Sequence, residues 1–231
     1  MATKKKQSAK KQNTQEEVKL GTAISSIELF FQDKKNQNRI FITVIAILVI
    51  VFGIVAINRW YLQPLKAEAR AQMFPAEQLF MDGDYLTALN GDGNVMGFAE
   101  VADQYGNKAG KVVYFYKGIC QLHTGDNEGA IESLKKYSGK DKITKARAYC
   151  CIADAYVNLD DYTEALKWYK KAIAVDSHGF IAGYLLKAGI ICEEMGDNEQ
   201  ALKFYDEISI KYPNTLEAYE VGKYISRLKN N

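Results

Sequence analysis

The chain has 231 residues, of which 48% are hydrophobic and 25% charged, with a formal net charge of +2. That balance excludes a wholly disordered chain and a strongly basic nucleic-acid binder, so no nucleic-acid partner is expected. Four cysteines without a Cys-x-x-Cys motif and two histidines, His123 and His178, are a poor inventory for zinc. Whether Cys120, Cys150, Cys151 and Cys192 pair as disulfides stays open.

Residues 1–19 are polar and lysine-rich without apolar period, the pattern of a disordered leader. Leu20, Ile24, Ile27 and Phe31 then recur at helical spacing, which predicts a short amphipathic helix over about 20–32 lying on a membrane face. From Ile40 to Ile57 no charge occurs and Thr43 carries the one hydroxyl. At about 1.5 Å per residue this run is close to the ~30 Å hydrocarbon core of a bilayer. Arg39 precedes it and Asn58, Arg59, Trp60 and Tyr61 follow, residues that anchor a span at the interface. Nine Lys/Arg and four Asp/Glu lie in residues 1–39, a net of +5, which leaves −3 for the rest. A basic flank is held in the cytoplasm. The expected layout is therefore a cytoplasmic segment 1–39, a transmembrane helix 40–61 and an external domain 62–231. A permanent anchor is favoured over a cleaved signal peptide: the run is long, and the nearest small-x-small site, Ala67-Glu68-Ala69, lies ten residues beyond it among charges.

Beyond the span, Leu65 to Met81 reads as a helix that Pro75 breaks or restarts. Residues 82–97 hold four glycines and predict a turn-rich insertion. Its Asp82, Asp84 and Asp92 fall short of a calcium-loop pattern, which points to turn chemistry. The absence of proline between Glu77 and Tyr212 predicts an all-α domain.

From Lys111 the sequence repeats. Gly125-Asp126-Asn127-Glu128-Gly129-Ala130 returns as Gly196-Asp197-Asn198-Glu199-Gln200-Ala201, with Asp160-Asp161-Tyr162-Thr163-Glu164-Ala165 midway. Gly118, Ala153 and Gly189 precede the three alanines by a constant interval, and Leu134, Tyr169 and Tyr205 follow them by four residues. Small residues let two antiparallel helices approach, large ones fill the space beside them, and Asp caps the second helix. Such pairs bury little alone and must stack. On these residues the chain resembles tetratricopeptide-repeat proteins, with repeats at 111–144, 146–179 and 182–215. A degenerate repeat is expected at about 76–110, keeping Phe98, Val101 and Tyr105. Lys117 and Gln121 stand where the family prefers apolar side chains. A capping helix at 216–229 should turn Tyr219 and Tyr224 inward and leave Lys223, Arg227 and Lys229 solvated.

No nucleophile–base pattern, metalloprotease motif or phosphate-binding glycine loop occurs, so no catalytic, cofactor-binding or metal residue is assigned and the expectation is a non-enzyme. The tetratricopeptide resemblance implies an inner groove built from the first helix of each pair. Mapped here, it takes Phe115, Ile119 and Leu122, then Arg147, Asp154 and Asn158, then Leu186, Ile190, Glu193 and Glu194, a surface suited to a protein segment. The Lys/Asn/Arg set by which some members clamp a C-terminal carboxylate is absent. The whole layout is similar to YfgM-like ancillary subunits of the bacterial SecYEG translocon. That resemblance implies an inner-membrane protein with a periplasmic repeat domain, partnered by translocon subunits, a membrane-anchored periplasmic chaperone and exported polypeptides. A scaffold for cell-envelope assembly or division is the alternative.

Overall fold

The computed structural model describes residues 34–175 and 180–230. The amphipathic segment at 20–32 and His178 lie outside them. Contacts divide the chain into two compact units, with the division between Tyr61 and Leu62. In the first, helix α1 spans Lys34–Ile57 and a π-helical turn follows over Asn58–Leu62. The side chains of Phe41, Ile47 and Phe52 are exposed, and no described residue of this unit covers the apolar run. Thr43 donates its hydroxyl to the carbonyl of Ile40 at 2.8 Å, which satisfies the one polar side chain of the run within its own helix. Among the described residues one helical stretch is long and apolar enough to cross a membrane.

Among its described residues the second unit is built of helices joined by turns, and its elements pack in chain order. Helix α2 (Gln63–Met81) is followed by two short helices, α3 (Tyr85–Asn90) and α4 (Phe98–Tyr105). Three antiparallel pairs come next: α5 (Val112–His123) with α6 (Asn127–Lys136), α7 (Lys142–Asn158) with α8 (Tyr162–Val175), and α9 (Ile181–Glu194) with α10 (Asn198–Lys211). Helix α11 (Leu216–Asn230) closes the stack against α10 and α9. Pro213 stands two residues past the end of α10.

The turn between paired helices is built the same way each time. Asp126, Asp161 and Asp197 accept a hydrogen bond from the backbone N–H three residues on, at 3.0 Å in each case. The residue before each aspartate lies in the left-handed region: Gly125 at φ 87°, Gly196 at 77°, and Asp160, not a glycine, at 57°. An L side chain there costs on the order of 1–2 kcal/mol, against which glycine's greater freedom in the unfolded chain must be set. Replacing Asp160→Gly is therefore expected to stabilise the α7–α8 turn by about 0.5 kcal/mol, net of the 3.3 Å bond from Tyr162 that is lost. Urea denaturation reads this directly, and a loss of stability would refute it.

Small residues sit where the helices touch. A Cβ on Gly189 would lie 2.3 Å from the Tyr205 ring, and one on Gly118 would lie 2.5 Å from Leu134. Gln121, expected to be out of place, is buried and bonded at both ends of its amide. It donates to Asp126 at 2.7 Å and accepts from Ser133 at 2.6 Å, tying α5 to α6.

Four local expectations are corrected. Pro75 does not break α2, which runs through it to Met81; the proline's missing N–H costs one hydrogen bond while Ala69, Met73 and Ala76 on the same helix stay buried. The span 82–97 is not all turn, because α3 forms inside it. Asp84 caps α3 through Thr87, and Asp92 accepts from the N–H groups of Asn94 and Val95. Tyr219 does not face inward: it is 79% exposed, whereas Tyr224 packs on Tyr205 with ring centroids 5.4 Å apart. Arg227 is not left to solvent alone but pairs with Glu193 at 2.6 Å.

Candidate functional site

The first helices of the pairs, α5, α7 and α9, line a groove of about 520 Å³ that α11 completes. Ile143, Arg147, Cys150 and Asp154 recur along α7 at intervals of four, three and four, so one face of that helix forms the floor. Ile119, Leu122 and His123 come from the end of α5, Tyr184 and Lys187 from the start of α9, and Glu217 from α11. Phe180, 56% exposed, stands at the rim. Gly183 leaves room there: a Cβ at that position would lie 3.2 Å from the Glu217 carboxylate.

The floor holds a connected polar cluster. Lys187 Nζ donates to both carboxylate oxygens of Asp154 at 2.8 Å. The buried Tyr169 hydroxyl donates to the same carboxylate at 2.5 Å. Burial works to lower the Lys187 pKa, but the charges around it, the Asp154 carboxylate among them, win and raise it. Burial, with Asp154 beside it, pushes the Tyr169 hydroxyl well above the ordinary range. Burial likewise holds the Cys151 thiol up at about 11, so the groove presents a protonated thiol rather than a nucleophile. Changing Asp154→Ala would strand the Tyr169 hydroxyl and leave Lys187 without its partner. With Lys187 partly in solvent, the expected cost is about 2 kcal/mol in urea denaturation. Asp154→Asn should cost less, because it still accepts from Tyr169; equal losses would sink this account.

Of the residues expected in the groove, the structure brings together Ile119, Leu122, Arg147 and Asp154. Phe115 is instead buried between α5, α6 and α7, 5.6 Å from the Tyr137 ring, because the second helix of the pair covers that turn. Asn158, at the end of α7, donates to Asn127 at 2.9 Å and faces the preceding turn. Leu186 packs into the core that α7 to α11 share. Glu193 is engaged by Tyr205 and Arg227. Ile190 is half-buried and Glu194 exposed, and neither lines the groove. Sequence reasoning missed Lys187, next to the chosen Leu186. Its signal was the four-residue step from Gly183, the position equivalent to Arg147 one repeat on. It also missed His123, which lies in the groove wall with its ring stacked on Tyr85, centroids 4.0 Å apart.

Charged pairs away from the groove include ordinary solvated-face contacts such as Lys136 with Glu132 and Lys167 with Glu164, each at 2.7 Å. Trp168 packs on Tyr149 at 5.4 Å. Among the described residues no group of three His, Cys, Asp or Glu side chains is placed to hold a metal.

Residues 144–209 match the family model of the tetratricopeptide repeat. Three similar solved structures are of MamA. One crystal structure shares 23% identity, covers 67% of this chain and 92% of that chain, and superposes with a TM-score of 0.50. A second shares 23% identity over 71% and 88%, with a TM-score of 0.54. The MamA RS-1 ArsTM double mutant shares 18% over 78% and 95%, with a TM-score of 0.51. No curated protein sequence matches. At these identities the likeness is one of fold: the chain is all-α, with tetratricopeptide helical repeats, a fold that serves as a scaffold for protein–protein interaction.

Proposed function

We propose that this chain is a single-pass inner-membrane protein whose repeat domain works in the periplasm as an ancillary subunit of the Sec translocon, assisting chaperoning of exported proteins. The observation that carries this reading is the layout of its N-terminal half: the uncovered apolar helix between a basic flank and Asn-Arg-Trp-Tyr, followed by repeats with an open groove. A basic N-terminal flank favours the cytoplasm for residues 1–39 and the opposite side for residues 62–231. The span (40–61) would dock on the channel while the groove holds a partner chaperone or an emerging polypeptide transiently.

A second reading keeps the binding role and changes the machine. Leu216 and Tyr219 are 81% and 79% exposed on the outer face of α11, which favours a stable partner and hence a scaffold for envelope assembly or division. Photocrosslinking in intact cells separates the two, with probes at Ile47 in the apolar helix and Ile119 in the groove. A translocon subunit at Ile47 and a chaperone or secretory chain at Ile119 support the first reading. Lipid alone at Ile47, with an envelope component at Ile119, replaces it with the second.

A further inference from the structure

The groove carries charge of both signs. The Lys187–Asp154 pair neutralises itself at the floor. The two ionic groups left over are Arg147 on α7 and Glu217 on α11, and neither forms an ion pair among the described residues, with each other or with any other side chain. Apolar side chains flank them: Ile119 and Leu122 on α5, before Arg147, and Tyr184 on α9, between α7 and α11. A protein normally neutralises groove charges internally when the groove serves only packing, since an unpaired ion facing apolar walls gains nothing from them.

We propose that the groove reads a bipolar protein segment: an acidic side chain against Arg147, a basic side chain against Glu217, and one or two apolar side chains between them over Tyr184. The inference rests on the groove being the protein-binding site and adds the chemistry of what binds. A uniformly acidic segment meets the Glu217 carboxylate, and a uniformly basic one meets the Arg147 guanidinium, so each is turned away at one end. A purely apolar segment leaves both ions desolvated without a partner and binds less well than its contact area suggests. Arginine can engage a carboxylate through two parallel N–H donors, which fixes the segment's position as well as adding affinity.

The test uses the full-length chain in lipid nanodiscs and a fluorescein-labelled peptide, Gly-Ser-Glu-Leu-Leu-Lys-Ser-Gly. It is compared with three versions in which Glu, Lys or both become Gln, and with spacer variants carrying one, three or four leucines. Fluorescence anisotropy at low salt should show that Glu→Gln and Lys→Gln each weaken binding roughly five- to tenfold at the best spacing, the range of one charge-assisted hydrogen bond. In Arg147→Gln the Glu and Gln peptides should bind alike while the Lys preference persists, and in Glu217→Gln the reverse should hold. Arg147→Lys should retain part of the preference, which guards against a variant that merely loosens α7. If Arg147→Gln leaves the Glu preference intact, the bipolar reading is overturned. If all four peptides bind equally and Leu122→Glu abolishes binding, the groove survives as a binding site and its charge reading fails. Binding of no peptide, with crosslinks at Ile119 also blank, removes the groove itself.

Discussion

Between about pH 8.5 and 11 the repeat domain is expected to lose most of its stability, because its thiols can ionise only when it unfolds. Cys120 and Cys192 are fully buried and Cys150 nearly so. Burial pushes Cys120 up to about 12 and Cys192 up to about 11, and it raises Cys150 further still, with the Asp154 charge adding to the effect. In the unfolded chain a thiol titrates near 8.5. The folded values lie above it, so the folded state binds more protons as pH rises through 8.5, and stability falls with pH. Below that point neither state loses a proton and nothing changes. Each thiol contributes a loss of about 1.4 kcal/mol per pH unit until its folded pKa is reached. Three of them over the roughly 2 units from pH 8.5 to 10.5 remove about 8 kcal/mol, comparable with the whole stability of a typical domain. The Tyr169 and Tyr205 hydroxyls, raised chiefly by burial and also by the carboxylates of Asp154 and Glu193 that they donate to, add to the loss above pH 10. Urea denaturation under reductant at pH 8 and 10.5 measures the effect, and Cys120→Ala with Cys192→Ala should flatten it. An unchanged urea midpoint across that interval would show that the thiols are not held in the core as described.

These buried thiols also mark how far the sequence could be read. The spacing of Ala130, Ala165 and Ala201 locates three helix pairs, because a turn capped by Asp and a small residue facing a large one are local patterns with a fixed physical reading. The groove was legible where α7 alone defines it, since Arg147 and Asp154 lie seven residues apart on one helix face. On α9 it was legible only in part: the four-residue step from Gly183 marks Lys187, but that Leu186 turns into the core closed by α11 is long-range information that periodicity does not carry. Glu193 shows the same limit: its fate is decided by Arg227, 34 residues away. Similarly, Phe115 has the same helical period as a groove residue, but α6 and α7 cover it.

The segment before the three clear pairs yields the second large effect. Gly83-Asp84-Tyr85-Leu86-Thr87-Ala88 repeats the turn that marks the later pairs, with Gly83 at φ 81° and Asp84 capping α3. The first helix of this pair is therefore α2, which begins before the start at about 76 expected for the degenerate repeat. Residues 91–97 interrupt the second helix, so that α3 and α4 together take its place against α2 and α5. Phe98 restarts it. Its ring is fully buried, stacks on Tyr116 at 5.1 Å and meets Phe80 edge-on at 6.2 Å. A loop between α3 and α4 offers no continuous backbone ladder, so this aromatic contact must hold α4 in register with α2 and α5. Phe98→Ala is expected to cost about 3–5 kcal/mol, the transfer term plus the cavity left behind. Because repeats couple mainly to neighbours, the loss should be local. Hydrogen exchange of the full-length chain should show α2 to α5 exchanging faster by two orders of magnitude or more, on the order of the 3 kcal/mol lower bound, while α9 to α11 keep their protection. Uniform loss across all helices would mean that the domain is a single cooperative block, and that Phe98 supports the groove helices as directly as it supports α4.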